Sequence, residues 1–276
     1  MTEGALRGVR AVTLAVNVPG PAAAARLRWL GASVTKIEPL EGDPLAAFAP
    51  SWYARLRAGQ DLLALDLKSS QGRESLDRVL GAADLLLTSH RPSALARLGL
   101  AWSELHGRHA RLCQVAIVGR TAEPERSGHD LTYLAAAGLL SPPAMPRTLV
   151  ADLAGAERAV AAAMALLLAR ERTGESGYAE IGLADLAQEL AAPLRGGVTL
   201  PEGVLGGGFA GYALYRARDG WIALAALEPR FRERVSRLLG VPLDRAALER
   251  VFAQRTAVEW DAWGRENDVP LAALAS

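Results

Sequence analysis

The sequence contains a single cysteine, Cys113, among 276 residues. One cysteine excludes an intramolecular disulfide and a multi-cysteine zinc site, and it is typical of a reducing compartment. An excess of charge of one sign is also missing, because 31 Lys and Arg stand against 30 Asp and Glu, with no basic or acidic block. Composition therefore gives no reason to expect nucleic acid or an anionic membrane as a partner.

Long apolar runs are missing too. The longest, around residues 159–169, is mostly alanine and is shorter than the roughly 20 residues that span a bilayer. The first 16 residues lack an uninterrupted apolar segment after a basic one, so we expect no signal peptide. The sequence therefore predicts a cytoplasmic protein without a membrane partner, with one large domain or two unequal ones.

Nucleotide and nucleophile motifs are absent as well. No G-x-G-x-x-G follows the first strand-like segment, and the chain has no Walker loop and no G-x-S-x-G elbow. The residues by themselves therefore indicate an α/β protein with a few candidate carboxylates, and no cofactor or metal is expected.

Strand-like and helix-like segments alternate along the first two thirds of the chain. The strand-like segments are 9–16, 33–39, 61–67, 84–89, 111–119 and 177–183. Strands that alternate with amphipathic helices are typical of a parallel sheet, so we expect a Rossmann-like large domain over residues 1–190. A Gly- and Pro-rich linker is expected over 191–204. A small α+β domain is expected over 205–276, where Asp219 and Gly220 form the turn of a hairpin.

Three side chains are candidates for chemistry. Asp152 stands at the start of a helix predicted over 152–172, where it is either a helix N-cap or a carboxylate held ready as a base or nucleophile. His129, in the Ser-Gly-His-Asp stretch 127–130, is either a solvated histidine or a proton carrier. Glu228 follows an apolar strand, so it is either a surface cap of the next helix or a site residue. The sequence leaves each pair of readings open.

Collinear segments over nearly the whole chain carry a family resemblance. They are LRGVRAVTLAVNVPGPAAAARLRWLGASVTKIEP, ALDLKSSQGRESLDRVLGAADLLLTSHRPSALARLGL, GHDLTYLAAAGLL, LVADLAGA, ARERTGESGYAEIGLAD and YRARDGWIALAALEPRF. Together they resemble the family III CoA-transferase superfamily, and within it the α-methylacyl-CoA racemase branch.

The resemblance implies a role for each candidate. Asp152 matches the central catalytic aspartate of the family, and His129 and Glu228 match the histidine and glutamate that the racemase branch adds. These three matches imply a racemase of 2-methylacyl-CoA thioesters that removes and returns the α-proton. The alternatives are a CoA-transferase that uses Asp152 as a nucleophile and a non-catalytic relative that serves as a binding subunit.

The resemblance also implies an acyl-CoA substrate and a homodimer. Arg91 matches a CoA-contact position of the family, and Lys36 and Arg57 are further candidates for the CoA phosphates. Two departures remove expected cations: residues 58–61 read AGQD where the family carries a basic cluster, and Pro39 stands where a basic residue is common. The C-terminus is expected to be shortened relative to the family.

Overall fold

The computed structural model describes residues 4–275, and its first sheet has six strands. In chain order the strands are β1 (Arg10–Thr13), β2 (Ser33–Glu38), β3 (Asp61–Ala64), β4 (Leu85–Thr88), β5 (Cys113–Val118) and β6 (Tyr178–Gly182). Their order across the sheet is β3-β2-β1-β4-β5-β6, and every neighbouring pair is parallel. This is the order of a doubly wound Rossmann sheet, so the predicted fold of the large domain is confirmed.

Helices form the connections between these strands, and one helix follows the last strand. They are α1 (Pro19–Trp29), α2 (Pro44–Phe48), α3 (Pro50–Arg57), α4 (Ser70–Leu80), α5 (Pro92–Arg97), α6 (Trp102–Arg108), α7 (Asp130–Ala136), α8 (Val150–Thr173) and α9 (Leu183–Leu190). The central strands β4 and β5 are buried along their whole length, which explains their continuous apolar sequences. In residues 4–275, no helix combines the length and the apolar character needed to cross a bilayer.

The chain divides into two compact units between Leu190 and Ala191. The second unit begins with the short helix α10 (Ala192–Arg195), followed by turns joined by backbone hydrogen bonds where a linker over 191–204 was expected. Helix α9 ends at Leu190 and α10 begins at Ala192, because Pro193 has no N–H to donate to the preceding turn.

An antiparallel sheet and three helices complete the second unit. The strands are β7 (Tyr212–Arg216), β8 (Trp221–Ala225) and β9 (Leu271–Ala273), and the helices are α11 (Pro229–Leu239), α12 (Arg245–Phe252) and α13 (Ala257–Glu266). Its core is aromatic: the Trp260 ring meets Phe252 edge-on at 5.0 Å, and the indole N–H donates to the Phe252 carbonyl at 2.8 Å. The predicted small α+β unit is thereby confirmed.

Helix α8 packs closely because its buried face consists mainly of small residues. Ala151, Gly155, Ala156 and Ala159 lie on that face, against α1, β5 and α9. A Cβ atom at Gly155 would lie 2.2 Å from the Leu183 Cδ2 atom, so a larger residue there would displace the Leu183 side chain. The small residues bring the start of α8 close to the edge of the sheet.

A buried ion pair joins β2 to the loop that follows it. The Lys36 ammonium donates to the Asp43 carboxylate and to the Ala15 carbonyl, each at 2.8 Å, and both charged side chains are at most 1% exposed. The other Asp43 oxygen accepts the backbone N–H groups of Asn17 and Leu45. Two buried charges with their hydrogen-bonding capacity used in this way hold the loops after β1 and β2 together.

Replacing one member of this pair should destabilise the protein strongly. Lys36→Met leaves the Asp43 carboxylate buried without its cation, so we expect a loss of about 3–5 kcal/mol of unfolding free energy, measured by urea denaturation. Lys68 is the other lysine of the chain and is exposed, so Lys68→Met should change stability by no more than about 0.5 kcal/mol. A loss below about 1 kcal/mol for Lys36→Met would contradict the structural role of the pair.

Candidate functional site

A cavity of about 320 Å³ lies at the carboxyl ends of β1, β4 and β5. The sheet order reverses between β1 and β4, and ligands of doubly wound sheets bind in the crevice at that point. Polar and charged residues form much of its lining: Asn17, Ser89, His90, Arg91, Arg126, Ser127, His129, Tyr133 and Asp152. Among residues 4–275, no cluster of three or more His, Cys, Asp or Glu side chains has the arrangement of a metal site.

Asp152 is the third residue of α8 and forms part of the lining of this cavity. The N-cap is Leu149, which makes no side-chain capping bond, so the interpretation of Asp152 as the N-cap is wrong. Burial raises the pKa of the Asp152 carboxyl from 3.8 to about 7, and the neighbouring Asp130 carboxylate contributes to the rise. A carboxyl group with this pKa changes protonation state near neutral pH.

Asp130 supplies the hydrogen bond that is missing at the start of α8. This residue is 3% exposed, and its Oδ1 atom accepts the Asp152 backbone N–H at 3.0 Å. Its Oδ2 atom is buried and has no hydrogen-bond partner among the described residues. The sequence does not single out Asp130, and the available signal is its place directly after His129.

His129 occupies the N-cap position of α7 and lines the same cavity. Its backbone is held by Thr132, whose hydroxyl accepts the His129 N–H at 3.0 Å and donates to the His129 carbonyl at 2.8 Å. The residue is exposed, so the imidazole is accessible from the cavity. The structure thus brings two of the three predicted catalytic side chains, His129 and Asp152, to one cavity.

Tyr133 is a further lining residue that the sequence does not reveal. Its ring is buried against Gly128 and Gly119, where an added Cβ atom would lie 2.3 Å from the ring and 2.8 Å from the hydroxyl, respectively. Burial raises the pKa of the Tyr133 hydroxyl, and the negative charge of nearby Asp152 raises it further. The glycine of the Gly-His-Asp stretch is therefore required by the packing of this ring.

The predicted CoA-binding residues have different environments. Arg91 lines the cavity, and its guanidinium donates to the Ser127 hydroxyl at 2.6 Å. Arg57 lies in the last turn of α3 and is partly buried; burial raises the pKa of the nearby Glu38 carboxyl, and the Arg57 charge offsets part of that rise. Lys36 requires a correction: its ammonium is buried and already bonded to Asp43, so it is not accessible to a CoA phosphate.

Glu228 lies in the second unit, at the exposed N-cap of α11. Its backbone carbonyl accepts the N–H groups of Phe231 and Arg232, while its carboxylate makes no capping hydrogen bond. The Glu228 carboxylate is thus not used to cap helix α11.

The cavity has the elements of proton-transfer chemistry. A carboxyl group that titrates near neutral pH and an imidazole are two groups that can take and return protons. Arg91 and Arg126 add positive charge to the lining, which favours a substrate with carbonyl, carboxylate or phosphate oxygens.

Comparisons with known proteins agree with this geometry. The profile described as CoA-transferase family III matches residues 6–276. The chain is 30% identical over 291 residues to the α-methylacyl-CoA racemase of Homo sapiens, covering 93% of this chain and 74% of that protein. It is 32% identical to a succinyl-CoA:(R)-benzylsuccinate CoA-transferase subunit of Thauera aromatica, covering 78% of this chain and 58% of that protein.

A solved structure has the same fold. The crystal structure of a hypothetical protein from Mycobacterium tuberculosis superposes with a TM-score of 0.85 at 24% sequence identity. The superposition covers 98% of this chain and 83% of the other.

The raised pKa of Asp152 predicts a pH-dependent stability difference. The folded state holds the proton more tightly than the unfolded state, so this contribution to stability is fully present below about pH 4 and is lost as the pH rises through about 7. Asp152→Asn removes the titration, so the variant should gain stability relative to the parent as the pH rises from about 4 to about 8. Urea denaturation at several pH values measures the gap.

A matched control lies on the same helix. Glu157 is exposed, with a side chain 63% accessible, so the stability difference between Glu157→Gln and the parent should not widen over this range. A constant difference for Asp152→Asn would mean that the Asp152 carboxyl is already ionised at acidic pH in the folded state.

Proposed function

Because the chain belongs to CoA-transferase family III, we propose that it is a racemase of 2-methylacyl-CoA thioesters. The observation that carries this proposal is the presence of Asp152 and His129 in the lining of one cavity. The 30% identity to an α-methylacyl-CoA racemase supports it. The relatives in the family are racemases and CoA-transferases, so the chain is an enzyme of one of these two classes.

The proposed reaction removes the α-proton from one face of the α-carbon and delivers another proton to the opposite face. The Asp152 carboxylate takes the α-proton, and the electrons of the broken C–H bond move to the thioester oxygen to form an enolate. Protonated His129 then donates a proton to the opposite face of the α-carbon, and the carbonyl re-forms. In the reverse direction the neutral imidazole is the base and the Asp152 carboxylic acid returns the proton. The lining arginines Arg91 and Arg126 favour the negative charge that develops on oxygen.

Asp130 adapts Asp152 to this role. A proton-transfer group is most effective when its pKa lies near the working pH. Burial and the Asp130 charge bring the pKa of Asp152 to about 7, and the hydrogen bond from the Asp152 backbone N–H to Asp130 fixes the start of α8. Asp130 is therefore a positioning residue in the proposed mechanism, because it acts through Asp152.

A CoA-transferase is the alternative function. In that reaction Asp152 is the nucleophile: its carboxylate attacks the thioester carbonyl, the CoA thiolate leaves, and a mixed anhydride forms on the aspartate. The similarity to a CoA-transferase subunit of Thauera aromatica favours this candidate. Hydroxylamine trapping separates the two functions, because only the transferase forms an acyl-aspartate at Asp152.

Two further elements remain predictions from the family resemblance. Glu228 is proposed to orient His129 and stabilise its charged form, and the protein is proposed to be a homodimer. An acyl-CoA substrate and a cytoplasmic location are likewise proposed.

The first test replaces the proposed base. Asp152→Asn keeps the shape of the side chain but cannot accept the α-proton, so racemisation of a 2-methylacyl-CoA should fall by about 10²–10⁴-fold. Chiral chromatography of the hydrolysed product measures the rate. Glu157→Gln, on an exposed turn of the same helix, should keep the parental rate. Unchanged racemisation by Asp152→Asn would refute its assignment as the base.

The second test separates the two faces of the α-carbon. In His129→Ala, Asp152 can still remove and return a proton on its own face, so one enantiomer should exchange deuterium from heavy water without inverting. The other enantiomer should lose exchange, and racemisation should be abolished. NMR of each pure enantiomer measures wash-in, and His106→Ala, which changes an exposed histidine bonded to Ser176, is the control. Equal loss of exchange for both enantiomers would contradict the two-face assignment.

A further inference from the structure

A second cavity, which we call the tail cavity, lies along the carboxyl edge of the sheet. It adjoins the cavity lined by Asp152 and His129, which we call the reaction cavity. The tail cavity measures about 580 Å³ and lies at the ends of β1, β2, β3 and β4. Val16 and His90 line both cavities, so a long ligand with its reacting end at Asp152 can extend past these two residues into the tail cavity. Leu14, Ile37 and Leu65 give the tail cavity apolar walls that suit a flat, weakly polar group.

Glu38 is the unexplained polar group of this cavity. It is the last residue of β2, it lines the cavity, and it is 7% exposed. Its Oε1 atom is buried and has no hydrogen-bond partner among the described residues. Because a buried polar atom without a partner is costly, this oxygen is suited to a hydrogen-bond donor of a bound ligand. In doubly wound sheets, an acidic residue at this strand end accepts ribose hydroxyl groups.

The charges around the tail cavity disfavour an anion. Glu41 and Asp66 are exposed at its edge, in addition to Glu38. Among the described residues that line it, Lys68 is the only lysine or arginine. Lys36 lies below Glu38 in the same strand, but its ammonium is used by Asp43. Arg57 acts on Glu38 electrostatically without lining the cavity.

We propose that the tail cavity binds the nucleoside end of the thioester, with the ribose hydroxyl groups donating hydrogen bonds to Glu38, and that it disfavours a phosphate on that ribose. This inference rests on the proposed function. CoA carries a 3′-phosphate beside its 2′-hydroxyl, whereas 3′-dephospho-CoA presents two hydroxyl groups. At low substrate concentration, thioesters of 3′-dephospho-CoA are therefore better substrates than thioesters of CoA. The reacting end of both is identical, so the discrimination appears in KM and not in kcat.

The experiment compares 2-methylacyl-CoA with 2-methylacyl-3′-dephospho-CoA at low ionic strength, where surface charges are least screened. We expect a KM for the dephospho thioester that is about three- to tenfold lower, with equal kcat. Equal KM values for the two thioesters, or a lower KM for the CoA thioester, would overturn the proposal.

Two variants assign the effect. Glu38→Gln removes the negative charge and halves the acceptor capacity, so the preference for the dephospho thioester should disappear. Glu41→Lys changes only an exposed edge residue and should shift the preference toward CoA, which keeps the test decisive if Glu38→Gln does not fold. Parental preference in both folded variants, or in folded Glu41→Lys alone if Glu38→Gln is unfolded, would overturn the proposal.

Binding of the two free carriers separates this inference from the proposed reaction. Calorimetric titration with CoA and with 3′-dephospho-CoA needs no turnover. If neither thioester is racemised, the proposed reaction fails. Tighter binding of dephospho-CoA than of CoA would still support the tail cavity assignment. Equal binding of the two carriers, tighter binding of CoA, or no binding of either carrier overturns it.

Discussion

The hydrogen bond between the Asp152 backbone N–H and the buried Asp130 carboxylate joins the two segments that form the reaction cavity. Asp130 begins α7, directly after His129, and Asp152 lies in the first turn of α8. The other end of α8 is held as well, because the buried Arg170 guanidinium donates to the Asp84 carboxylate and the Arg111 carbonyl near the starts of β4 and β5. Helix α8 is thus fixed at both ends relative to the sheet, and the position of Asp152 follows from that.

Close packing around the start of α8 also determines the pKa of Asp152. Alanines and Gly155 let α8 approach α1, β5 and α9, and the resulting burial is the main cause of the raised pKa of Asp152. Asp130 adds a second negative charge at the same place, while its own Oδ2 atom stays without a partner. Burial and the repulsion between the two carboxylates together keep a proton available on Asp152 near neutral pH.

The two cavities at the carboxyl edge of the sheet differ in charge. Arg91 and Arg126 line the reaction cavity, whereas Glu38 lines the tail cavity, with Glu41 and Asp66 at its edge. Between them His90 is half-buried, and its pKa is lowered by burial and then by the charge of nearby Lys36, which favours the neutral imidazole. A ligand that extends through both cavities therefore meets positive charge at its reacting end and negative charge at the other.

The parallel sheet could be predicted from the sequence, because apolar strand segments such as 84–89 and 111–119 are local patterns that only burial on both faces explains. It also indicated Asp152 and His129, because the residue types and their flanking turns are local. It did not reveal helices α2 and α3 over residues 44–57 or the short strand β9, whose signals are weak without their packing partners.

The use of individual side chains depends on contacts that form only when the chain folds. Lys36 was a candidate for phosphate binding, but Ala15 and Asp43 enclose it, and the first of these lies 21 residues away in sequence. Asp130 gained its role because α7 and α8 meet. The partners of a buried charge come from segments that are distant in the chain, so no local pattern contains them, and the folded arrangement alone determines which charges remain available to a ligand.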